Sequence, residues 1–597
     1  MSFAPVAQLR DFTGGVNTKQ RPNKIADNQL KSIISMDFVA NSLQRAKGYE
    51  SFGIEPDNTL TGKTLYKHSI LAGQDVLVKT IGTYLKFYDE VDDKYYKLTD
   101  ATFTTGKRWS FATFNGYLYG VNGVDTWVFW RGSARSTLNG AITNVDTIIN
   151  LQTGHGGRFP TSGDVMIQDE KISYTGKAGD QLTGCTITQN HPSGSTVILK
   201  LDSTSTTVTS LTKAKRIEFF RNRMFAIDND NPNILRHSKL ADNTNPETDL
   251  LNFTIGSGAG DAGFGIAPDE IVTMKTFITG NNTSILAVFC KDGIVYSFVV
   301  TDGTNTTTNA FVPLRTMNSY PVAAHMVEIV ENDLAFVDNH GFIRTLSYGE
   351  NNTPVRVNTI CETIEPSLEL MDFSDGCIKY DRRKLYTAGK TQNAVTNDIT
   401  LYRDSSYSAF GTYGHWDVID LTIYNDRLYG LSVVTGNVWL LNEGYSANGN
   451  QYYSESVAKD YDFGLPLQYK QLLRARLSGF ITNNCEAYID FYFDNEEKPI
   501  TFLIDGDNTD IVGNAPNVAV GSVIFGSGVF GGGLPEGVNR RYFDAEVVLP
   551  IARAFLKMTF KVRIDDQDVD FEINDMELYA KQLSPNVWKK HKSLKQI

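Results

Sequence analysis

The chain has 597 residues, of which 41% are hydrophobic and 21% are charged, a composition typical of a folded protein with a large buried core. The formal net charge is −12, which argues against a surface that grips nucleic acid, because such surfaces cluster Lys and Arg. The sequence has no run of about 18 apolar residues and no basic segment followed by an apolar one at its start. We therefore expect neither a membrane-spanning segment nor a signal peptide.

Residue usage predicts a mainly β protein. The chain contains 28 Tyr and 34 Phe, which suit pleated strands, and 50 Gly, which suit the turns between them. The cysteines are scattered, odd in number and form no C-x-x-C pair, so we expect buried thiols without disulfides. They are Cys185, Cys290, Cys361, Cys377 and Cys485.

Residues 1–61 carry four short motifs and are interpreted as an N-terminal strap. The motif residues are Asp11, Phe12, Gly14, Gly15 and Asn17, then Asp27 and Asn28 within 26–29, then 36–38, and finally Arg45, Gly48 and Tyr49. The Gly14-Gly15 pair permits a sharp change of chain direction. The polar side chains of 26–29 predict the cap of a short helix over 30–35, and the last motif is expected to lead into the first repeat.

A hairpin pattern recurs between residues 62 and 445. Each copy places a polar turn between two alternating strands, which is typical of a β-hairpin. Five clear copies have their turns at 115–116, 221–222, 331–332, 382–383 and 425–426, and two weaker copies lie at 73–75 and 281–282.

The spacing of these hairpins predicts how they assemble. Once residues 142–201 are set aside as an insertion, the copies recur close to the roughly 40–50 residues of a four-stranded propeller blade. We therefore predict a β-propeller of seven blades, with blades 1–2 in 62–141 and blades 3–7 in 202–445. Unrelated hairpins packed as sandwiches are the alternative, because no copy carries a strict blade signature.

Two further regions flank this repeat. The insertion 142–201 is predicted to be a small β module that projects from the propeller with its ends close together. Longer alternating runs follow residue 445, so 455–583 are predicted to be a β-sandwich-like domain, with the Gly-rich stretch 526–533 between two groups of strands. Residues 584–597 form a basic tail, read as a solvated terminus, with a docking arm onto an acidic neighbour as the alternative.

Every catalytic or ligand-binding pattern in the chain lacks a necessary residue. The eight His are dispersed without zinc-site spacing, no G-x-S-x-G elbow occurs, and 228–231 lack the Gly and Glu that complete a calcium loop. We therefore predict no catalytic, cofactor-binding or metal-binding residue and no cofactor. The rival is a propeller glycosidase resembling sialidases, whose S-x-D-x-G-x-x-W turn has one copy at 432–439, without its Asp.

The four strap motifs, in order and spacing, resemble the opening of the nozzle, or tail tubular protein B, of short-tailed bacteriophages and of the related DNA-stabilisation proteins below the portal. Those proteins read roughly D-F-x-G-G-x-N-T, then A-D-N-[EQ], then a short strand and R-x-G-Y. The insertion resembles a small β module common in phage virion proteins. The residues that carry this second resemblance include Gly163, Glu170, Tyr174, Cys185 and His191, whereas Ile187 and Thr188 replace the usual Arg-Gly.

This resemblance implies a structural virion protein and not an enzyme. The chain would be a nozzle subunit of the tail tube, made in the host cytoplasm, forming part of the channel that retains and ejects DNA. Its expected partners are further copies in a homohexamer, tail-tube or adaptor proteins above it, and tail fibres or tip proteins. Genomic DNA would pass without sequence-specific binding, and the strap residues would be structural or interface positions. A propeller glycan-binding or glycosidase protein of a phage tail is the alternative.

Overall fold

The computed structural model describes residues 7–70, 74–203, 208–241, 246–255, 259–261, 269–279, 284–293, 295–300, 311–316, 322–348, 354–494, 496–507, 511–513, 540–548 and 554–583. The predicted Gly-rich stretch 526–533, the turn at 281–282 and the tail 584–597 lie outside these residues. The described part is mainly β, as predicted, with three short helical turns: η1 (Gly156–Arg158), α1 (Pro246–Asp249) and α2 (Glu365–Leu368). None of its helices has the length and apolar character needed to cross a membrane.

The strands are numbered in chain order. The first five are β1 (Ala7–Leu9), β2 (Leu30–Ile34), β3 (Met36–Val39), β4 (Ser42–Arg45) and β5 (Tyr49–Ser51). Ring sheet 1 then contains β6 (Gly62–Ser69), β7 (Asp75–Ile81), β8 (Tyr84–Asp89) and β9 (Lys94–Lys97), and ring sheet 2 contains β10 (Ser110–Phe114), β11 (Tyr117–Val121) and β12 (Val128–Arg131). An inserted module follows, with β13 (Arg135–Thr137), β14 (Ile148–Asn150), β15 (Gly163–Ile167), β16 (Glu170–Tyr174), β17 (Gly176–Ala178), β18 (Gln181–Thr183) and β19 (Thr196–Leu199).

Five more ring sheets come after the module. Sheet 3 contains β20 (Ala214–Phe220), β21 (Arg223–Asp228), β22 (Leu235–His237) and β23 (Gly260–Asp261); sheet 4 contains β24 (Ile271–Ile278), β25 (Ser284–Cys290), β26 (Val295–Val300) and β27 (Phe311–Thr316). Sheet 5 contains β28 (Val322–Val330), β29 (Asp333–Asp338), β30 (Ile343–Tyr348) and β31 (Pro354–Thr359); sheet 6 contains β32 (Met371–Asp381), β33 (Lys384–Thr391), β34 (Ile399–Asp404) and β35 (Ala409–Tyr413). Sheet 7 contains β36 (Val418–Tyr424), β37 (Arg427–Ser432), β38 (Val438–Leu441) and β5.

The remaining strands lie in the C-terminal part of the chain. They are β39 (Ser454–Ala458), β40 (Lys470–Thr482), β41 (Glu486–Phe493), β42 (Ile500–Asp505), β43 (Ile511–Gly513), β44 (Arg540–Val548), β45 (Ala554–Phe555), β46 (Met558–Ile564) and β47 (Phe571–Gln582).

The predicted hairpins are confirmed at the five clear turns, each of which joins the first and second strands of a ring sheet. At four of them both central residues have positive φ, for example Asn115 at 50° and Gly116 at 78°. A two-residue turn of this kind matches the right-handed twist of the flanking strands, and Asn, Asp and Gly adopt it most readily. The residue types therefore suit the turns at Asn115-Gly116 and Asn425-Asp426, whereas Arg382-Arg383 adopts positive φ without a turn-favouring residue.

The ring sheets contact one another in a closed circle through their first strands. Each first strand lies against the next, in the order β6, β10, β20, β24, β28, β32, β36 and back to β6. Sheets in chain order that meet at their innermost strands form a propeller-like arrangement, with a channel at the centre.

The circle is closed by the N-terminal region of the chain. Strand β5 pairs antiparallel with β38, placing Tyr49 opposite Leu441. The last strap motif leads into the first repeat, as expected, because the chain continues from β5 to β6, and β5 itself is in addition the outer strand of the last sheet. Completing one sheet with strands from distant parts of the chain fixes the circle without leaving that edge open.

The C-terminal strands form two facing sheets that share one apolar core. The first has the order β3-β4-β47-β40-β44, with β1 on β47 and β45 on β40. The second continues from ring sheet 6 in the order β35-β2-β39-β46-β41-β42-β43. The strap 1–61 is built into these two sheets, to which its strands β1 to β4 belong.

The inserted module has its own small core and two sheets, β13-β19-β15-β16 and β14-β18-β17. Its chain ends are adjacent, since Leu199 N–H donates to the carbonyl of Ala134 at 2.9 Å. Because β13 belongs to it, the predicted boundary at residue 142 falls inside the module. Each of the five cysteines is buried with a free thiol, as predicted.

One irregularity recurs around the central channel. In six of the seven ring sheets the pairing between the first and second strands shifts register near the start of the first strand, at 62/64, 214/216, 271/273, 322/327, 372/377 and 418/420. Such bulges redirect side chains and bend the strand. They bring charged residues to the channel.

Candidate functional site

The first strap motif forms a compact loop on ring sheet 6. Asp11 accepts hydrogen bonds from Thr13 N–H at 2.8 Å and from Asn28 Nδ2 at 3.3 Å. Gly14 N–H donates to the carbonyl of Asn28 at 3.0 Å, and Gly15 adopts a φ of +68° directly against the backbone of Phe410. Partial burial acts to raise the pKa of Asp11, but the bonds from Thr13 and Asn28 outweigh it and hold that pKa below its ordinary value.

The remaining residues of the first two motifs contact other parts of the chain. Phe12 is buried in the core shared with the C-terminal sheets. Asn17 donates to Gln29 Oε1 at 2.8 Å and accepts from the N–H of Lys19 at 3.1 Å. Asp27 is mostly exposed and pairs with Lys459.

The predicted helix over 30–35 is wrong, because these residues form strand β2. Leu30 and Ile33 are buried, and β2 lies between β35 and β39. The polar residues before it are used in a different way from a helix cap: Asn28 and Gln29 bond back to Asp11 and Asn17. These residues form a strand because β2 pairs with β35 and β39 in a ten-stranded sheet. That stabilisation is long-range, so a local cap pattern does not predict it.

Arg45 lies at the junction of the strap with the C-terminal sheets. The residue is 1% exposed, and its guanidinium packs 4.2 Å from the ring centroid of Tyr452. Its hydrogen-bond acceptors are the carbonyls of Val569 (2.9 Å), Tyr452 (3.0 Å) and Asp566 (2.5 Å) and the hydroxyl of Ser454 (3.3 Å). Arg45 therefore ties the strap to two C-terminal segments.

Gly48 and Tyr49 complete this junction. A Cβ atom on Gly48 would lie 1.8 Å from the carbonyl oxygen of Ser446, so only glycine fits. Tyr49 contacts Trp439 with ring centroids 5.0 Å apart, and burial raises its pKa to about 12. The ten strap residues thus fall into two groups, and every one of them holds the chain's own elements together.

The motif residues of the inserted module are likewise internal to it. Glu170 Oε2 lies 2.6 Å from His191 Nε2, and both residues are buried. Glu170 also accepts a hydrogen bond from the Thr188 N–H at 2.5 Å. Thr188, which replaces the usual Gly, therefore supports the Glu170–His191 pair. Burial acts to raise the pKa of Glu170, but the Thr188 and His191 contacts lower it overall. This cluster fixes the module's turns.

The central channel contains a different kind of cluster. A cavity of about 510 Å³ is lined by residues of the first strands of the ring sheets. One layer alternates in charge over four consecutive sheets, in the order Glu218, Lys275, Glu328 and Lys379. Glu328 lies 3.3 Å from Lys379 Nζ and 3.9 Å from Lys275 Nζ. Burial acts to raise the pKa of Glu328, but the two lysines lower it overall.

Arginine side chains cross the channel at the end where the first strands of the ring sheets carry their bulges. Arg108 of ring sheet 2 donates to the carbonyls of Gly376 at 3.0 Å and Ile419 at 2.6 Å, on the far side of the ring. Arg216 of sheet 3 donates to Thr273 Oγ1 at 2.6 Å and contacts His325 of sheet 5. Burial lowers the pKa of Arg216 to about 10 and lowers that of His325 well below its ordinary value. These side chains span the channel.

Two carboxylates in the channel have no cation within ion-pair distance among the described residues. Glu218 accepts from Thr276 N–H and Asp420 from Leu65 N–H, both at 2.9 Å, and burial raises the pKa of each. Tyr66 lines the same cavity, shares a hydrogen bond with Thr113 at 3.2 Å, and has a pKa raised by burial. A carboxyl with a raised pKa can act as a general acid.

No channel residue was singled out from the sequence. They come from separate strands of the ring, and several lie beside a bulge that shifts the register, so no short pattern marks them. The available signal was a charged residue inside an otherwise apolar first strand, as in Ile217-Glu218-Phe219 and Val327-Glu328-Ile329. No group of His, Cys, Asp and Glu suited to a metal ion occurs within the residues that the structure covers.

Comparison with models of known protein families finds no match, and comparison with curated proteins finds none. Among solved structures, the computationally designed Ika8 protein is similar over 66% of this chain and 100% of its own, with 10% identity and a TM-score of 0.33. Raptor of Chaetomium thermophilum is similar over 66% of this chain and 29% of its own, with 8% identity and a TM-score of 0.33. These similarities are slight, and the description of the ring rests on its sheet pairing.

Proposed function

We propose that this protein is a structural subunit of a phage virion, the nozzle of a short-tailed phage tail tube, built on a seven-bladed β-propeller. The carrying observation is that the strap residues with the family resemblance hold the strap, ring sheets 6 and 7 and the C-terminal sheets together. Gly15, Arg45 and Gly48 each occupy a crossing between distant segments. An architectural role explains why those residue types stand in that order.

The proposed assembly is a homohexameric ring with an axial hole wide enough for duplex DNA. A ring closes when one heterologous contact repeats by rotation. DNA would follow the axis of the ring, since Arg108 and Arg216 span the channel of the individual subunit. The net charge of −12 supports a lumen that lets DNA slide without holding it. Tail-tube or adaptor proteins above, and fibre or tip proteins, are the proposed partners.

Electron microscopy of the virion tests this proposal. The expected result is six copies of the chain around the tail axis, with a lumen that is acidic or neutral. Particles lacking the protein should fail to retain DNA or to complete their tails. A single copy per virion, or a lumen lined continuously by Lys and Arg, would contradict the proposal.

A second candidate is a propeller glycosidase, and one observation favours it. Glu218, Asp420 and Tyr66 face one cavity together with Arg108 and Arg216, which is the class of residues that such an enzyme uses. The structural proposal is preferred because Glu328 is shared by two lysines and both arginines are engaged within the channel.

Glycan hydrolysis separates the two candidates. Purified protein is expected to release no reducing ends from bacterial polysaccharides, and Glu218→Gln and Asp420→Asn should leave that result unchanged. Depolymerisation by the wild-type protein that is lost in either variant would establish the enzyme instead. Thr422→Ala, a change in the same channel that removes no carboxylate, is the matched control.

A further inference from the structure

A second cavity, of about 900 Å³, lies between the inserted module and ring sheets 1, 2 and 7. We name it the module cleft. Its lining includes three hydroxyl and three amide side chains as well as Arg131, Arg135, His155 and Arg158, whereas Ile70 is the single large apolar side chain among the lining residues. The cleft is therefore polar on both walls.

The arginines give the cleft its positive side. Arg135 lies 3.5 Å from Asp89, but neither Arg131 nor Arg158 has a carboxylate within ion-pair distance among the residues described. The Nε–H of Arg131 is buried without a hydrogen-bond acceptor in the described part of the chain. The support for an anion site is therefore the two guanidinium groups of Arg131 and Arg158, which line the cleft without a carboxylate partner within the residues that the structure describes.

The carboxylates that face the arginines are already engaged. Asp75 lies 3.2 Å from Lys67 Nζ, and Glu90 accepts a hydrogen bond from Tyr424 at 2.7 Å. Neither of these two carboxylates is paired with Arg131 or Arg158. The unpaired guanidinium groups are thus left to attract an anion.

We propose that the module cleft binds an acidic saccharide, a sugar chain that carries carboxylate groups. Guanidinium groups bind a carboxylate through two parallel hydrogen bonds, and the surrounding hydroxyl and amide side chains suit the hydroxyl groups of a sugar. This assignment rests on the cleft alone and holds whether or not the protein is a phage nozzle.

A peptide ligand fits the cleft less well. Peptides are held by a free strand edge or by apolar pockets for their side chains. The edge of β13 is occupied, because its carbonyls at Arg135 and Thr137 accept from Arg158 and from Gln152 N–H, both at 3.0 Å. The large apolar lining is limited to Ile70.

Gly157 allows a test that leaves the fold intact. A Cβ atom on Gly157 meets no atom within 4 Å, and the residue lines the cleft next to Arg158. Gly157→Glu therefore places a carboxylate beside the arginines, and Gly157→Gln adds the same bulk without charge. Arg158→Gln removes one guanidinium, and Arg21→Gln at an exposed position elsewhere is its control.

Calorimetry with the full chain at low ionic strength uses four probes: trigalacturonate, neutral maltotriose, hexaglutamate and inorganic phosphate. We expect trigalacturonate to bind in preference to the other three. Gly157→Glu and Arg158→Gln should each weaken it by about tenfold or more, whereas Gly157→Gln and Arg21→Gln should leave it within about twofold.

Four results would overturn the proposal. These are no binding of trigalacturonate, equal binding of maltotriose, equal or tighter binding of hexaglutamate or phosphate, and full affinity in Gly157→Glu. Thermal unfolding of each variant shows whether it is folded, and because the Gly157 pair differs only in charge, a difference between its members reports on the cleft.

Discussion

Arg45 in the strap and Glu328 in the central channel are both charged side chains largely withdrawn from solvent, but the protein holds them in different ways. Arg45 donates to three backbone carbonyls and one hydroxyl, so neutral acceptors that the main chain positions stabilise its charge. Glu328 is held by Lys275 and Lys379, side chains from the two neighbouring ring sheets. The acceptors of Arg45 are mostly backbone groups, which a substitution does not remove. The partners of Glu328 are side chains, which can be replaced one at a time.

The largest expected effect is in the strap. Arg45→Met should lower the free energy of unfolding by about 3–5 kcal/mol, because four buried acceptors lose their donor. Urea unfolding followed by tryptophan fluorescence measures the loss. The control is Arg10→Met, which removes an exposed arginine paired with Glu577 and should cost at most about 1 kcal/mol. Equal losses in the two variants would contradict the role given to Arg45.

The channel should respond differently to paired changes. Glu328→Gln is expected to cost about 3 kcal/mol, because two lysines then face each other without a carboxylate between them. Adding Lys379→Met should recover about 1–2 kcal/mol of that loss. A double-mutant cycle in urea measures the coupling. Strictly additive losses would show that the alternating charges do not act as pairs.

Low pH should destabilise the ring sheets through a third kind of buried polar group, the neutral side chain of His68. Burial lowers the pKa of His68 to about 4 from its ordinary 6.5, so the unfolded chain takes up the proton first as the pH falls. The contribution of neutral His68 to the free energy of unfolding is fully present above pH 6.5 and is lost between pH 6.5 and about 4. The loss amounts to roughly 2–3 kcal/mol at pH 4.5. His68→Gln should show a flatter pH profile of unfolding than wild type. The exposed His340→Gln should follow the wild-type profile.

The smallest expected effect concerns Asp11. Asp11→Ala removes the acceptor for Thr13 and Asn28 at the strap loop and should cost about 1 kcal/mol. Asp27→Ala, at a side chain that is 78% exposed, should cost less than about half as much. Thermal unfolding compares the two. A larger loss for Asp27 would show that the strap depends on its surface ion pair.

The turns could be predicted from the sequence because their cause is local. Asn115-Gly116 and Asn425-Asp426 are residue pairs that favour positive φ between alternating strands, and the spacing of such turns then indicated the repeat. The helix over 30–35 was predicted on an equally local pattern and was wrong, because Leu30 and Ile33 are buried between β35 and β39, whose sequences lie far away.

The candidate sites show the same difference between local patterns and long-range contacts. The strap residues could be named because Gly15, Arg45 and Gly48 sit in short motifs, although their partners near 410, 446 and 569 could not. The channel residues and the module cleft could not be named. The channel residues come from first strands of separate sheets, several of them beside bulges that no local pattern predicts. The cleft brings residues of 131–137 and 152–158 together with side chains of ring sheets 1 and 7, which are distant in the sequence.

The pairing of β1 with β47 carries a consequence for how the protein is made. Ala7 is opposite Leu578, so a ribosome synthesises the first strand long before its partner exists. The same holds for β2 and β5, which wait for β39 and β38. Closing so large a loop slows folding, and until then the edges of ring sheet 7 and of both C-terminal sheets stay open. A chain cut before β47 would lack the strand that pairs with β1, β4 and β40.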